Sequence, residues 1–464
     1  MLILYTHFQN SYSIVLTMKK FILFIFLFPG LLQAQEIKFP LKASANKKYI
    51  VDQSGQAVFL NGSSVWRLPF AISYYDAKNF LLGLKAKKFN AIAIQVAANS
   101  KSFVNETNGL TWGEVAFDDD DVTKPNEKYF RHLDSLLELC NQLNIAVLAA
   151  PLFLGCCGDD WLEVIQQYKD GVAKCRKYGE WFAQRYKHLP NIIWLSGGDH
   201  NPVPESIALA EGIASVDTTH LHTYHAHPGK SSGERFQGAK WHTLSSAYTY
   251  FPAMEMDTIW QFKHVYTMLY EEMLNKYGMP CILIESAYEK ERYTTAQIIR
   301  RQAYWSLLAG ASGEIFGHRD MYQVNKKFMQ ALNDPGSESM KIFQTFVQSI
   351  PWYNMKGDWA HSLFITGRGT FNSTQYPGGE DYATAAFTPD STLAILYMPS
   401  YRTVGINMNR FKKPVVIKWF DPSTGAYKTI PKTFPNKGIS YIKPPSFRND
   451  KGYDDWVLIV ATKP

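Results

Sequence analysis

From residue 58 to residue 349 the sequence alternates short apolar runs of strand length with segments whose apolar residues recur at helical spacing. The runs are 58–62, 89–96, 145–151, 192–197, 221–225, 244–248, 281–285 and 314–317. The helical segments are 76–87, 127–143, 171–187, 205–216, 256–277 and 296–308, with a closing helix at 338–349. Eight strands, each followed by a helix or a long loop over roughly 300 residues, specify an α/β fold of the (β/α)8 TIM-barrel type. The fifth and sixth strands carry the weakest signal. A doubly wound open sheet is the alternative, but no G-x-G-x-x-G opens a helix after the first strand. Ahead of the barrel, residues 49–60 hold two apolar runs around Ser54-Gly55 and read as a hairpin.

Past Pro351 the texture changes. Short runs at 363–366, 382–388, 393–398, 404–408, 415–420 and 456–461 are separated by Gly, Pro, Asn and Asp at about ten-residue spacing, the pattern of a small all-β sandwich. Asp421-Pro-Ser-Thr-Gly425 reads as a hairpin loop. The expected division is a barrel over 35–355 and a C-terminal sandwich over 356–464. The sandwich shows no evident aromatic platform and is expected to be a stabilising appendage. A third reading makes it a matrix-binding or adhesive module.

Lys19 and Lys20 precede an apolar stretch from Phe21 to Leu32, and Gln33-Ala34-Gln35 follows as a cleavage region. Residues 18–34 therefore read as a secretory signal peptide, and residues 1–17 as an upstream start-codon artefact. The run is too short to span a bilayer, which needs about 20 residues. The expected location is periplasmic or extracellular, with no membrane contact after cleavage. Lys and Arg number 48 against 41 Asp and Glu, scattered without a long basic run, so nucleic acid is not an expected partner. Five cysteines are too few for a disulfide scaffold, although Cys156 or Cys157 could pair with Cys175; Cys140 and Cys281 read as core.

In a barrel, reactive groups sit at the C-terminal ends of the strands. The fourth strand runs into Gly197-Gly198-Asp199 and the seventh ends at Glu285. Two carboxyls across a barrel mouth are the apparatus of glycoside hydrolysis, one protonating the leaving oxygen and the other attacking the anomeric carbon or activating water. Asp199 and Glu285 are the catalytic candidates, with the raised pKa expected on Asp199. The plainer readings are an Asx turn or a helix N-cap for Asp199 and an ion pair with Arg292 or Arg319 for Glu285. Glu289 and Glu314 are rival carboxylates. Trp66, Gln95, His200, Asn201, Tyr224, His225, Tyr248, Tyr288, Glu289 and His318 are the expected substrate-binding residues, because planar rings stack on sugars while amides and imidazoles bind hydroxyls. Trp112 and Tyr250 add loop aromatics. A metal held by Asp199 with His225, His227 and His318 is a minor alternative; no metal and no cofactor are expected.

At these residues the chain resembles the apiosidase-like glycoside hydrolases of secreted bacterial glycan-degrading systems. The resemblance rests on 191–202 (Asn-Ile-Ile-Trp-Leu-Ser-Gly-Gly-Asp-His-Asn-Pro), Glu285-Ser-Ala-Tyr-Glu289, Tyr224-His225, 303–306 and Gly317-His318, and it extends to the C-terminal segments at 419–425 and 455–460. It implies Asp199 as general acid/base and Glu285 as nucleophile in a retaining mechanism. It also implies a plant cell-wall substrate, the apiose-linked side chains of pectic rhamnogalacturonan II. Ser286 and Glu314 depart from the family pattern, which has Pro after the strand-seven Glu and His or Thr at the second position. The competing class is a glycan-binding barrel without turnover, and another sugar specificity is the competing substrate. The sequence leaves oligomeric state open.

Overall fold

The computed structural model describes residues 36–101, 114–155, 160–250, 263–275, 277–372 and 378–462. The signal-peptide reading, Trp112, Cys156 and Cys157, and residues 256–262 of the expected fifth helix lie outside these ranges. Cys140, Cys175 and Cys281 are buried thiols. No helix among the described residues is long and apolar enough to cross a membrane.

Eight parallel strands form the barrel wall: β1 Leu60–Ser64, β2 Ala91–Gln95, β3 Ala146–Ala150, β4 Ile192–Gly197, β5 His222–His225, β6 Ser245–Tyr248, β7 Cys281–Glu285 and β8 Gly313–His318. Their order is β5-β4-β3-β2-β1-β8-β7-β6, so every neighbouring pair except β5 and β6 is joined by ladder hydrogen bonds. That seam is laced by single bonds instead. The Thr243 and Leu244 N–H groups donate to His222 O at 3.0 and 3.2 Å, and the Ser246 hydroxyl donates to Tyr224 O at 2.5 Å.

The apolar runs are continuous because both faces of each strand are covered. Ala91, Ala93, Leu148, Ile193, Leu195, Ile282, Ile284 and Ile315 fill the lumen. Their neighbours Ile92, Ile94, Val147, Ala149, Trp194, Leu283 and Phe316 face the helices. Those helices are α1 Tyr74–Ala86, α2 Glu127–Gln142, α3 Gly171–Tyr186, α4 Pro204–Val216, α5 Val265–Asn275, α6 Ala296–Ala309 and α7 Pro335–Gln348. Ser73, Asn126 and Thr295 cap α1, α2 and α6 by accepting backbone N–H bonds, which satisfies donors that a helix start leaves orphaned. A helix at Trp161–Gln167 carries no counterpart in the sequence reading. The expected hairpin turns at Asp52–Gly55, with an antiparallel bridge between Val51 and Ala57 and the Val58 N–H donating to Ile50 O at 2.9 Å, while Ile50–Val51 also pairs with Lys42–Ala43.

The C-terminal strands are β9 Lys356–Gly357, β10 Phe364–Thr366, β11 Thr384–Phe387, β12 Leu393–Met398, β13 Val404–Asn407, β14 Val415–Phe420, β15 Tyr427–Phe434, β16 Ile439–Ile442 and β17 Trp456–Thr462. They form a six-stranded sheet, β9-β11-β12-β17-β14-β15, and a three-stranded sheet, β10-β13-β16. Phe364, Leu396, Val404, Ile406, Trp419 and Leu458 fill the space between the two. The outer face of the larger sheet merges with the barrel core. Tyr397 stacks on Tyr304 of α6 with ring centroids 4.8 Å apart, and Phe420 meets Phe346 of α7 at 4.9 Å. Arg300 of α6 donates to both Asp455 oxygens at 2.8 Å, a fork-on-fork pair sealed from solvent.

Candidate active site

β4 delivers Asp199 through three consecutive residues in the left-handed half of backbone space: Gly197 at φ 88°, Gly198 at φ 133° and Asp199 at φ 35°. The glycines are there for room as well as for conformation. A Cβ on Gly197 would sit 2.4 Å from the Tyr224 ring, and one on Gly198 would sit 2.7 Å from Leu154 N. Their closeness lets Gly198 N–H donate to His225 O at 2.9 Å and Leu154 N–H donate to Gly197 O at 3.1 Å. Asp199 is therefore clamped between the ends of β3 and β5, in a conformation a non-glycine residue rarely takes. It caps no helix: α4 begins after Val203.

Across the mouth, Glu285 ends β7. It pairs with neither Arg292 nor Arg319. Its Oε2 lies 2.9 Å from His225 Nε2, while the other face of that imidazole looks at Asp199, with Nδ1 3.4 Å from the Asp199 N–H and 3.6 Å from Oδ1. The backbone N–H opposite Nδ1 makes that nitrogen the acceptor, so Nε2 carries the proton and donates it to Glu285. Burial holds the His225 pKa below the usual value, keeping the ring neutral. Trp66, Phe153 and Tyr248 box the ring with centroids 5.6, 5.4 and 4.8 Å away. Trp66 Nε1 donates to the Tyr288 hydroxyl at 2.9 Å.

Burial pushes both carboxyls above the carboxylate range, and the Glu285 charge adds to the rise at Asp199. The expectation of a raised pKa on Asp199 alone is thus widened to the pair. Hydrogen-bond supply separates them. Glu285 faces two donors of its own, His225 Nε2 and the Tyr288 hydroxyl, and competes with Asp199 for the single Tyr248 proton. Asp199 faces Tyr248, and its Oδ1 is buried without a hydrogen bond among the described residues. Donors stabilise the ionised form, so the proton the two share belongs on Asp199. His200 Nε2 is a second buried orphan beside it, the kind of atom a bound hydroxyl satisfies.

The remaining expected site residues divide. Gln95 reaches the mouth but donates to Ala97 O and Asp160 Oδ1 at 3.0 and 3.2 Å, bracing the loop beside Asp199. Asn201 is exposed, accepts from Arg235 at 2.8 Å, and lines a polar cavity of about 530 Å³ with His227, Lys230, Glu234 and Glu271. Tyr224 is a correction: successive strand side chains point to opposite faces, so with His225 inward Tyr224 turns toward α4, where its hydroxyl meets Ser206 at 3.0 Å. Glu289 and His318 are corrections too. Glu289 accepts the Gly336 N–H at 2.7 Å at the start of α7, and His318 is spent on Asp334 at 3.0 Å and the Asp320 N–H at 3.0 Å. Both belong to a buried network in the barrel wall. Glu314 faces α6, 3.5 Å from Gln302 Nε2, and is no rival at the mouth. Phe153, Asp160, Glu291 and Tyr322 complete the site without having been singled out in the sequence; Glu291 accepts from Tyr250 at 3.3 Å on the rim.

Asp199, His225 and Glu285 each offer an atom within 4.8 Å of the others, the one His/Cys/Asp/Glu group of that closeness among the described residues. Two carboxyls and an imidazole are donors a divalent cation accepts. A cation there would have to displace the His225 to Glu285 hydrogen bond. His318 lies elsewhere, and His227 Nδ1 is 2.8 Å from Pro228 O.

The sequence profile of the apiosidase-like catalytic domain matches residues 44–354. The chain belongs to the apiosidase-like family. A second profile, a putative collagen-binding domain of a collagenase, matches residues 373–461 of this apiosidase-like chain. No curated protein sequence matches it. Among solved structures, a glycoside hydrolase family 5 protein from Bacteroides vulgatus superposes with a TM-score of 0.76 at 22% identity, over 91% of this chain and 93% of that one. A glycoside hydrolase superposes with 0.76 at 23%, over 91% and 97%. A putative glycoside hydrolase, also from Bacteroides vulgatus, gives 0.63 at 13%, over 92% and 82%. Identities this low establish the shared fold; membership in the apiosidase-like family makes the chain a glycoside hydrolase with a carbohydrate substrate.

Proposed function

We propose that this protein is an exported, retaining glycoside hydrolase that removes apiose-linked side chains from pectic polysaccharide of the rhamnogalacturonan II type. The observation that supports the mechanism is the approach of the two carboxyls from the ends of β4 and β7, whose nearest oxygens lie within 4.8 Å of each other on either side of His225. Retaining enzymes hold their carboxyls about 5–5.5 Å apart, whereas inverting enzymes leave about 6.5–9.5 Å for a water.

Glu285, ionised and held by His225, Tyr248 and Tyr288, attacks the anomeric carbon. Asp199 gives its proton to the departing glycosidic oxygen as the bond to the anomeric carbon breaks, so the leaving alcohol departs neutral. Water then attacks the glycosyl ester, Asp199 takes its proton back, and Glu285 leaves as a carboxylate. Two displacements return the original anomeric configuration. The family supports the sugar class, and the apolar run behind Lys19-Lys20 supports export.

The test is sugar release from pectic fragments by the purified protein beside Asp199→Asn and Glu285→Gln, with the first-formed anomer followed by NMR. Apiose released as the retained anomer, and abolished by both substitutions, is the expected result. An inverted anomer overturns the retaining assignment, release by either variant overturns the site, and release of another sugar overturns the substrate. N-terminal sequencing of the secreted form should begin at Gln35.

A further inference from the structure

The C-terminal region shows no aromatic platform along its sequence, because its rings lie up to 46 residues apart. The fold gathers them. On β16 and beyond it exposure alternates strictly: Ile439, Tyr441, Lys443 and Pro445 face solvent, while Ile442 and Pro444 face inward. Tyr441 is 65% exposed, Ile439 51% and the nearby Phe447 57%. Tyr441 stands opposite Gly405 of β13, and its ring lies across that residue, since a Cβ on Gly405 would come within 3.2 Å of the ring. The absent side chain lets the ring lie along the sheet with one face to water. Tyr401 and Phe447 meet at 5.3 Å beside it, with Lys443 Nζ over the Tyr401 ring at 5.0 Å and the Arg448 guanidinium over Phe447 at 5.1 Å.

The charge of this region is one-sided. Residues 401–451 hold eleven Lys and Arg against two Asp and no Glu. One of the two, Asp450, already pairs with Lys428, and the other, Asp421, is buried. Lys437, Lys443 and Arg448 have no carboxylate partner among the described residues. The outer face of the larger sheet packs on α6 and α7 through Tyr397 and Phe420, leaving its edge strand β15 open, whereas the outer face of the smaller sheet is turned to solvent.

We propose that the outer face of β10-β13-β16 docks an acidic polysaccharide chain, the Tyr441, Tyr401 and Phe447 rings stacking on sugar faces and Lys437, Lys443 and Arg448 meeting uronate carboxylates. From Ile439 to Lys443 the strip runs about 13 Å at roughly 3.3 Å per residue, enough for two to three sugar rings. Flat exposed rings alone would suit a neutral glycan; the unpaired cations between them select a polyanion.

The test is native affinity electrophoresis of the full chain in gels containing polygalacturonate or neutral glucomannan, with co-sedimentation on fibrillar collagen alongside. All arms carry Asp199→Asn, so that turnover, and the correctness of the catalytic reading, has no bearing on the result. Retardation by polygalacturonate that falls with added salt, and weakens about three- to tenfold in Tyr441→Ala and in Lys443→Ala, is expected. Both side chains are exposed, so an unchanged thermal midpoint will show that the variants fold. The proposal is overturned by no retardation in polygalacturonate, by equal retardation of the Tyr441→Ala protein, by retardation indifferent to salt, or by binding to collagen in place of the polyuronate.

Discussion

Replacing His225 with Leu removes the one imidazole that touches both candidate catalytic carboxyls, and the geometry fixes which of them should feel it. The ring donates Nε2–H to Glu285 at 2.9 Å and only accepts on the side of Asp199. A hydrogen bond to a charged group contributes about 1.5–3 kcal/mol, and at about 1.4 kcal/mol per unit its loss raises the Glu285 pKa by roughly one to two units. Hydrolysis needs Glu285 ionised and Asp199 protonated, so Glu285 sets the acid limb of the rate profile and Asp199 the alkaline limb. The acid limb of kcat/KM should therefore move up by about one to two pH units, with activity on that side falling roughly 10- to 100-fold. The alkaline limb should stay, and the bell should narrow. His225→Gln, which can still donate an amide N–H, should recover part of the shift. The assay is kcat/KM against pH on the released-sugar substrate, with thermal unfolding as the control for folding. A uniform loss at every pH, with both limbs in place, would refute the assignment of His225 as the group that holds the Glu285 charge.

Gly198→Ala forces a Cβ to within 2.7 Å of Leu154 N and 2.9 Å of the Phe153 ring; displacing Asp199 should cut kcat about 100-fold or more, and near-parental kcat would contradict the clamp. Burial pushes Glu314 up to about 8, so the folded chain keeps a proton that the unfolded chain gives up above about 4.5. Stability should fall as pH rises between those values, and Glu314→Gln should flatten that decline in thermal midpoint from pH 5 to 8; parallel curves would show Glu314 to be ionised in place. Arg300→Met leaves Asp455 buried with only Tyr397 and Asn449 as donors, which should cost about 3–5 kcal/mol and lower the midpoint by about 3–5 °C for a chain this long. Adding Asp455→Leu should restore most of the loss in the same melting assay.

The barrel was legible because its strands are buried on both faces and so read as continuous apolar words; 192–197 and 281–285 coincide with β4 and β7. β5 and β6 were faint for a physical reason. His222, Ser245 and Ser246 are buried but satisfied by hydrogen bonds with Ser196, Glu272 and Ser232, a pattern that looks polar in sequence. The same two-faced burial hides parity. Nothing in Tyr224-His225 says which side chain enters the lumen, and the choice turned on the glycines at 197 and 198. Glu289 and His318 looked like mouth residues because each follows a strand end, but a two-residue strand at Tyr288–Glu289 joins β8 and carries them into the wall. The Tyr441 strip depended on register between strands more than thirty residues apart, which no local pattern encodes.

The seam between barrel and sandwich bears on how such a chain is inherited. Tyr304 and Phe346 are covered by Tyr397 and Phe420 once the six-stranded sheet has closed over α6 and α7. A recombination event that carried off residues up to 355 alone would deliver a barrel with a sticky aromatic flank and an unmatched guanidinium, a product prone to aggregate before any sugar was cut. The portable cassette is therefore barrel and sandwich together.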